Sequence, residues 1–505
     1  MGFLFVNALC QWEVGATLLL LVQQYLECVG VNSGRGMLQQ DDITSLSISN
    51  IGGAIASGEM TTLEVTEAHL ERIARLQPQI NCFIASEPET ARSAADSIDR
   101  AIARNGYQGS LQGVPLAHKD VLFRTGVPVT SGMRVLDAPS SFTATLLERL
   151  DSAGAVNLGR LNLDEFAGLG KNEHFGRCIN PWSAAHISGG SSSGPGVAVA
   201  ARLACGAIGS DAGGSIRMPA AMCGVVGLKP TFGLVSRYGN VHTTWSVDCL
   251  GPLTRTVEDC ATVLQAIAGW DPEDPTTVNA RVPDYRSGYT GKLEGIRIGW
   301  AVGEPFDAIE DEVAKAIFEA LDVFRDLGAE IIDLPVPRVA ELNDLQQVLT
   351  KAERATIYSR ALRDRPDQVS FTAHSVLYEG FLVPATRYLE AVSLRATLLQ
   401  EHLAAVHGEA DVLITPVIAT PVPTIADIET ADADELERIF TRSAAFVRFA
   451  SYLGIPGMSV PCGFTSNGLP TAFQLLGPPF SEGRLFQVGN AYQQATSWHT
   501  MAPPL

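Results

Sequence analysis

Two loops rich in glycine and serine lie close together near the middle of the sequence, within residues 188–219. The first contains three consecutive serines, Ser191 to Ser193, and the second ends on Ser215. Glycine lets successive backbone N–H groups converge on a ligand, and a serine hydroxyl becomes a nucleophile where a base lies near it. The second loop therefore predicts a nucleophile, Ser215, preceded by amides that hold a developing negative charge. The structural alternative is a pair of flexible surface loops.

Three mechanisms can be weighed for these loops. Residues 190–194 match the G-x-S-x-G elbow with Ser192 as nucleophile, but residues 180–186 lack the pattern of the buried strand that this motif needs. A phosphate cradle needs G-x-x-x-x-G-K-[ST], and the sequence contains no such run. The third mechanism is a serine–lysine relay in which Lys119 is the base for Ser215.

Lys119 lies within a continuous apolar run that begins at residue 111 and predicts a buried strand. A lysine buried at the end of such a strand is costly unless it is paired or uncharged. Lowering its pKa from about 10.4 to near 7 takes roughly 4 kcal/mol, which burial is able to supply. An ion pair with the adjacent Asp120 is the structural alternative.

The sequence resembles the amidase signature enzymes over about residues 41–505. The two loops carry the centre of the resemblance, with GGSSSG at 189–194 and GSDAGGSIR at 209–217. Three further blocks support it, GVPLAHKD at 113–120, NLDEFA at 162–167 and GLKPT at 227–231. The resemblance implies an α/β protein with a large mixed β-sheet core surrounded by helices, and an amidase that works through an acyl-enzyme.

The resemblance also implies a role for each site residue. Lys119, Ser191 and Ser215 fall on the family's Ser–cis-Ser–Lys triad. Asp211 and Arg217 are expected to brace the second loop rather than to take part in the chemistry. The oxyanion hole would consist of four consecutive backbone amides, those of Ala212, Gly213, Gly214 and Ser215.

The sequence departs from the family pattern at three positions. In the first loop Ser193 and Pro195 replace a glycine and a serine, and in the second Ala212 replaces a larger residue. None of these is a triad position, so the predicted chemistry is unaffected. Ser192, beside the triad serine, is a candidate to assist the relay.

Within the family, the chain is similar to the glutamine-hydrolysing subunit of the tRNA-dependent amidotransferase. Arg395 falls near the arginine that binds the substrate carboxylate there, but the acidic partner of the glutamine amine falls near Ala444, which is not acidic. We therefore expect a hydrolase that works alone on a small amide, carbamate or urea derivative. Two alternatives stay open: the glutamine-hydrolysing subunit itself, and an inactive binding protein with an amidase fold.

Composition bounds the partners and cofactors. The net charge is −19 and no basic run is interleaved with aromatic residues, so we expect no nucleic acid partner. The nine cysteines include no C-x-x-C pair and the histidines no H-E-x-x-H, so we expect no disulfide framework, no metal and no cofactor. The remaining expectations are a small amide substrate, no membrane association, a cytoplasmic location and, if the chain oligomerises, a homodimer.

Residues 1–36 differ from the rest of the sequence. They contain no lysine or arginine before Arg35, and their apolar run is too short to span a bilayer. We expect an N-terminal extension of unknown role, followed by an amidase signature domain over residues 37–505.

Helical and strand patterns alternate from residue 41 onward, which indicates an α/β sheet with parallel members. Thr61 and Glu64 form a capping-box pattern at the start of a helix that is expected to end near Pro78. Residues 339–408 are expected to be mostly helical and to shape the substrate site. His402 and His407 are expected on the helix surface there.

Overall fold

One mixed sheet of eleven strands forms the centre of the chain, which confirms the expected fold class. The computed structural model describes residues 40–133, 138–168, 172–431 and 433–505. The N-terminal extension predicted for residues 1–36 lies outside the described residues. The strands, in their order across the sheet, are β1 (Phe83–Ser86), β3 (Val156–Leu161), β2 (Pro115–Lys119), β4 (Gly206–Asp211), β6 (Cys249–Thr254), β5 (Val226–Lys229), β10 (Gly457–Phe464), β11 (Pro470–Leu476), β9 (Val412–Pro416), β7 (Arg297–Val302) and β8 (Glu330–Pro335).

Sixteen α-helices of the described residues surround this sheet. In chain order they are α1 (Gln40–Ser45), α2 (Ile48–Ser57), α3 (Thr62–Ile80), α4 (Pro88–Asn105), α5 (Thr145–Ser152), α6 (Ser193–Ala200), α7 (Arg217–Cys223), α8 (Val257–Ile267), α9 (Asp311–Asp326), α10 (Val339–Asp364), α11 (Phe371–Phe381), α12 (Ala385–His402), α13 (Ile425–Thr430), α14 (Ala433–Ala444), α15 (Arg448–Leu453) and α16 (Glu482–Ala495). None of the helices described is long and apolar enough to cross a membrane.

Both faces of the sheet are buried. Successive side chains of a strand point to opposite faces, and the neighbours Ala207 and Ile208 of β4 lie in two different buried clusters. The same alternation separates Leu413 from Ile414 in β9. Because both faces of the sheet are covered, the side chain of Lys119 at the end of β2 is held away from water.

The parallel strands β2 and β4 bring the two parts of the predicted site together. His118 of β2 pairs with Ile208 of β4, so the carboxyl ends of both strands lie on the same side of the sheet. Lys119 is the last residue of β2, and β4 continues into the second glycine loop after Asp211. Ligand sites form at the carboxyl ends of parallel strands in α/β proteins, and the ends of β2 and β4 have this position.

Helix α3 begins as the sequence predicts and ends near the predicted residue. Thr61 and Glu64 form the capping box, with the Glu64 backbone N–H donating to Thr61 Oγ1 at 3.1 Å. Pro78 lies inside the helix, two residues before its last residue, Ile80, so the helix ends near the proline although the proline itself removes one backbone N–H donor from the last turn.

The histidines of the 339–408 region lie elsewhere than expected. Most of the 339–408 region lies in the helices α10 to α12, which confirms that it is mostly helical. The prediction that His402 lies on the helix surface is wrong: it is buried, with its ring 6.0 Å from that of Phe449. His407 is half-buried beside it. Burial lowers the pKa of both rings, to about 3 for His402 and about 4 for His407, so they belong to the apolar packing.

Candidate active site

Lys119 is completely buried and surrounded by serine hydroxyls. Its Nζ lies 2.8 Å from Ser191 Oγ, 2.9 Å from Ser210 Oγ and 3.2 Å from Ser192 Oγ. Ser210, at the end of β4, was not among the predicted site residues. The parallel pairing of β2 with β4 brings it to Lys119, and this long-range pairing is not visible in the sequence pattern.

The hydrogen bonds of Ser192 limit what it does. Its hydroxyl donates to the Ser210 carbonyl at 3.1 Å, so it accepts rather than donates in its contact with Lys119. A neutral amine offers two N–H donors and one lone pair. Ser191 or Ser210 can therefore donate to that lone pair, whereas Ser192 holds the amine in place.

The alternative of an ion pair between Lys119 and Asp120 is wrong. The Asp120 carboxylate accepts hydrogen bonds from the Thr130 backbone N–H at 3.0 Å and from Arg160 Nη1 at 3.2 Å. Because adjacent residues of a strand point to opposite sides, Asp120 and Lys119 take different partners.

The first loop approaches the second through its backbone. The Ser192 N–H donates to the Ser215 carbonyl at 3.1 Å, so the predicted nucleophile lies next to the Ser191–Ser192 segment. The peptide bond between Gly190 and Ser191 is cis. A Cβ atom on Gly190 would collide with the Asp164 carboxylate, so this position needs glycine. No hydrogen bond involves Ser215 Oγ within the described part of the chain.

Asp211 and Arg217 brace the second loop. Both are completely buried, and Arg217 Nε donates to Asp211 Oδ2 at 3.0 Å while Nη2 donates to Oδ1 at 3.1 Å. Burial alone would raise the pKa of Asp211, but Arg217 and the loop amides outweigh it and lower the pKa to about 2. Arg217 also donates to the Val447 carbonyl at 2.9 Å, which ties α15 to this loop.

The backbone amides of the second loop are not equivalent. The Gly214 N–H donates to Asp211 Oδ1 at 2.7 Å, so this amide of the predicted oxyanion hole is already engaged. Among the residues described, the N–H groups of Ala212, Gly213 and Ser215 make no hydrogen bond. The Ala212 carbonyl accepts from Gln346 Nε2 at 2.8 Å, which fixes the turn from the side of α10.

Asp164, in the block at 162–167, is an acidic neighbour of Lys119 that was not among the predicted site residues. Its backbone N–H donates to the Ser191 carbonyl at 3.2 Å. Burial lowers the pKa of Lys119 to about 7, and the negative charge of Asp164 opposes this change. Burial in turn raises the pKa of Asp164. The site therefore stabilises a neutral amine near neutral pH.

Arg395 and Ala444, the two positions compared above with the glutamine-binding residues of the amidotransferase subunit, do not form a glutamine site of that kind. Arg395 donates to the Ser246 carbonyl at 2.6 Å, and its guanidinium lies 5.1 Å from the centre of the Phe232 ring. Ala444 is buried and carries no charge. In the described residues no group of three or more His, Cys, Asp or Glu side chains is arranged to hold a metal ion.

Comparison with known proteins assigns this site to a family. The model of the Amidase family matches residues 64–486. A glutamyl-tRNA(Gln) amidotransferase subunit from Gloeobacter violaceus is 38% identical, over 91% of this chain and 98% of the relative. The corresponding subunit of Methylococcus capsulatus is also 38% identical, over 90% and 98%. These relatives support the glutamine-hydrolysing alternative better than a hydrolase that works alone.

Solved structures show the same fold. A peptide amidase in complex with the inhibitor chymostatin has a TM-score of 0.79 at 28% identity, covering 91% of this chain and 99% of its own. The glutamyl-tRNA(Gln) amidotransferase subunit from Thermotoga maritima has a TM-score of 0.76 at 30% identity, covering 92% and 98%.

The prediction that nucleic acid plays no part is wrong, because the names of these relatives include glutamyl-tRNA(Gln) and describe one subunit of an amidotransferase. The expected homodimer also differs from these relatives, whose names describe one subunit of an amidotransferase. The inference about nucleic acid failed because the net charge of one chain does not show whether a complex of several chains binds nucleic acid. The family model and the near full-length matches to the relatives show that the chain belongs to the amidase family, whose members are hydrolases acting on carbon–nitrogen bonds.

Proposed function

We propose that the chain hydrolyses the side-chain amide of glutamine through an acyl-enzyme on Ser215, as the glutamine-hydrolysing subunit of a tRNA-dependent amidotransferase. The observation that carries the chemistry is the contact of 2.8 Å between the buried Lys119 amine and Ser191 Oγ. The loop of Ser191 is hydrogen-bonded through the Ser192 N–H to the Ser215 carbonyl. The near full-length match to the amidotransferase relatives supports the substrate.

Acylation begins with the proton of Ser215. Ser191 accepts this proton as its own passes to the neutral Nζ of Lys119, and Ser215 Oγ bonds to the amide carbon. The carbonyl oxygen becomes an oxyanion and is held by the unengaged amides of Ala212, Gly213 and Ser215. Because these donors are fixed by the turn before the reaction, they stabilise the transition state without reorganising.

Release of the amine reverses the proton path. The Lys119 ammonium returns its proton through Ser191 to the leaving nitrogen as the carbon–nitrogen bond breaks, which frees ammonia and leaves an ester on Ser215. Water then attacks the ester carbon and gives a proton to the same relay. The ester bond breaks, Ser215 regains its proton, and the free carboxylic acid leaves.

A second candidate is the hydrolysis of an amide other than glutamine. Two observations favour it: Ala444 offers no charge to the glutamine amine, and Arg395 is engaged by the Ser246 carbonyl and the Phe232 ring. Family members with solved structures include a peptide amidase and a 6-aminohexanoate cyclic dimer hydrolase.

Ammonia release distinguishes the two candidates. The purified chain is assayed with glutamine, alone and with its co-purifying subunits and glutamyl-tRNA(Gln), beside a panel of aliphatic and aryl amides, carbamates and ureas. We expect ammonia from glutamine in wild type and none in Ser215→Ala. Glutamine that stays intact in both settings, while another amide is cleaved, would replace the proposal with the second candidate.

The pH dependence follows from the state of Lys119. Because the base must be neutral, kcat/KM is expected to fall as the pH drops through about 7, where burial places the pKa of Lys119. The negative charge of Asp164 raises this pKa, so Asp164→Asn is expected to move the acidic limb to lower pH. Profiles of kcat/KM against pH for both proteins measure the shift.

Glu165→Gln provides the matched control for Asp164→Asn. Glu165 is the next residue and is buried, but its carboxylate accepts from the Ser370 backbone N–H at 3.2 Å, away from Lys119. Its removal is expected to leave the acidic limb in place. An acidic limb that moves equally in both variants, or upward in Asp164→Asn, would contradict the role given to Asp164.

A further inference from the structure

Two arginines lie beside the second glycine loop and take no part in the proposed proton path. Arg448 is the first residue of α15, and its Cγ lies 3.7 Å from the position that a Cβ atom on Gly213 would occupy. The stem of this side chain therefore packs against the turn that carries the predicted oxyanion amides. The hydrogen bond from Arg217 to the Val447 carbonyl holds the start of α15 there.

Arg354 approaches the same region from α10. It lies eight residues, or just over two helical turns, after Gln346, whose amide bonds to the Ala212 carbonyl. Arg354 Nη1 lies 3.4 Å from the Gly168 carbonyl, at the end of the turn that carries Asp164. Burial has the largest effect on the pKa of Lys119, and the positive charge of Arg354 lowers this pKa further.

The arginine pair, Arg354 and Arg448, is partly buried and lacks the ion-pair partner that the buried Arg217 has in Asp211. No carboxylate in the described residues lies within 4.0 Å of either guanidinium, and Arg448 makes no hydrogen bond there. Arg354 Nε is buried without a partner. Arg217, by contrast, is saturated by Asp211, Ser451 and carbonyl or amide oxygens.

The two charges also act on each other. Burial, and then the positive charge of Arg354, lower the pKa of Arg448 to about 10. The Asp248 carboxylate accepts hydrogen bonds from the Thr243 and Thr244 backbone N–H groups at 2.8 and 3.1 Å. Burial has the largest effect on both arginine pKa values, and the negative charges of Asp344 and Asp248 raise the pKa of Arg448 and Arg354 respectively, but among the described residues neither carboxylate forms an ion pair with them. Two partly buried cations without an ion-pair partner are costly, and an anion that binds both removes the cost.

We propose that Arg354 and Arg448 bind the carboxylate of the substrate's acyl group, so that the substrates are monoamides of short dicarboxylic acids, glutamine being one of them. This rests on the proposed function in taking Ser215 as the nucleophile. Arg395, which the resemblance to the amidotransferase would assign to the carboxylate, already bonds to the Ser246 carbonyl. The buried methyl group of Ala444 gives an α-amine no partner, so the amine is dispensable for binding.

Three substrates isolate the carboxylate and the amine. They are glutamine, glutaramate, which is glutamine without its amine, and pentanamide, which has a methyl group in place of the carboxylate. For wild type we expect kcat/KM for glutaramate to exceed that for pentanamide by about 100-fold or more, because an unmatched charged site rejects the neutral analogue. Glutaramate is expected to react at least as well as glutamine.

Substitution of the arginine pair is expected to remove this preference. At a pH well above the acidic limb, where losing the charge of Arg354 no longer changes the fraction of neutral Lys119, Arg354→Leu and Arg448→Leu should each lower kcat/KM for glutaramate about tenfold or more and leave that for pentanamide unchanged. Arg442→Leu is the matched control, since Arg442 lies six residues before Arg448, is exposed, and lies 3.5 Å from Glu310. It should change neither substrate. Arg448→Leu should not lower the Tm, because the Arg448 side chain makes no hydrogen bond or ion pair among the described residues.

Binding of glutarate, a carboxylate ligand that is not turned over, gives a second readout by calorimetry. Wild type and Arg448→Lys should bind it, the latter more weakly, and the double leucine variant should not. Equal losses on glutaramate and pentanamide, or no glutarate binding by wild type, would overturn the proposal. If glutaramate is cleaved and glutamine is not, the proposed function is wrong and the carboxylate-binding role of the arginine pair stands. If glutamine is cleaved and the arginine variants cleave it as well as wild type does, the proposed function stands and the role of the arginine pair is wrong.

Discussion

Replacing Ser215 with alanine is expected to lower kcat by about 10⁴-fold or more, with little change in Tm. The side chain is only partly buried and makes no hydrogen bond among the described residues, so its loss removes the nucleophile without removing a structural contact. The oxyanion amides and substrate contacts remain, and they account for residual catalysis in enzymes that lose a nucleophile. Initial rates of ammonia release and a thermal melt measure both quantities.

Ser287→Ala is the control for this substitution. Ser287 is an exposed loop serine whose hydroxyl donates to the Asp284 carbonyl at 2.7 Å, remote in the chain from both glycine loops. It should leave kcat unchanged. A Ser215→Ala variant that retains more than about a tenth of the wild-type kcat would mean that another group is the nucleophile.

Replacing Lys119 with methionine is expected to lower kcat by about 10²- to 10⁴-fold, the range for loss of a general base. Methionine has a similar length and no charge, so it fits the buried space, and the removed cost of burying an amine offsets the lost hydroxyl contacts. We expect the Tm to stay within about 3 °C of wild type. The same ammonia assay, run across pH, should also lose the acidic limb.

Lys229→Met supplies a matched control, because the chain contains a second completely buried lysine in the same sheet. Lys229 Nζ donates to the Pro230 carbonyl at 3.0 Å and contacts no residue of the triad. By the same balance of lost contacts and removed burial cost, its loss should change the Tm little and leave kcat within about tenfold of wild type. Similar activity losses in both lysine variants would indicate that Lys119 is structural.

The sequence was informative where local chemistry decides the structure. The capping box at Thr61 forms as its residues predict. The apolar run ending at Lys119 forms β2, although the strand itself covers only Pro115–Lys119. Strands β4 and β5 were not predicted, because β4 is built largely from small residues and β5 spans only 4 residues.

Long-range contacts account for most of what the sequence did not predict. Ser210 reaches Lys119 through strand pairing, and Asp120 finds its partner in Arg160, forty residues away. The arginine pair arises from α10 and α15, whose patterns do not say which face meets the glycine loop. The engagement of the Gly214 amide by Asp211 likewise depends on the folded turn.

Trapping the acyl-enzyme tests the central claim most directly. The wild-type chain is acid-quenched during turnover of the amide substrate, or treated with a fluorophosphonate, then digested and analysed by mass spectrometry. The account predicts a single adduct on the hydroxyl of Ser215, absent from Ser215→Ala and formed more slowly in Lys119→Met. An adduct on Ser191 or Ser192, or full labelling of the Ser215→Ala chain, would contradict it.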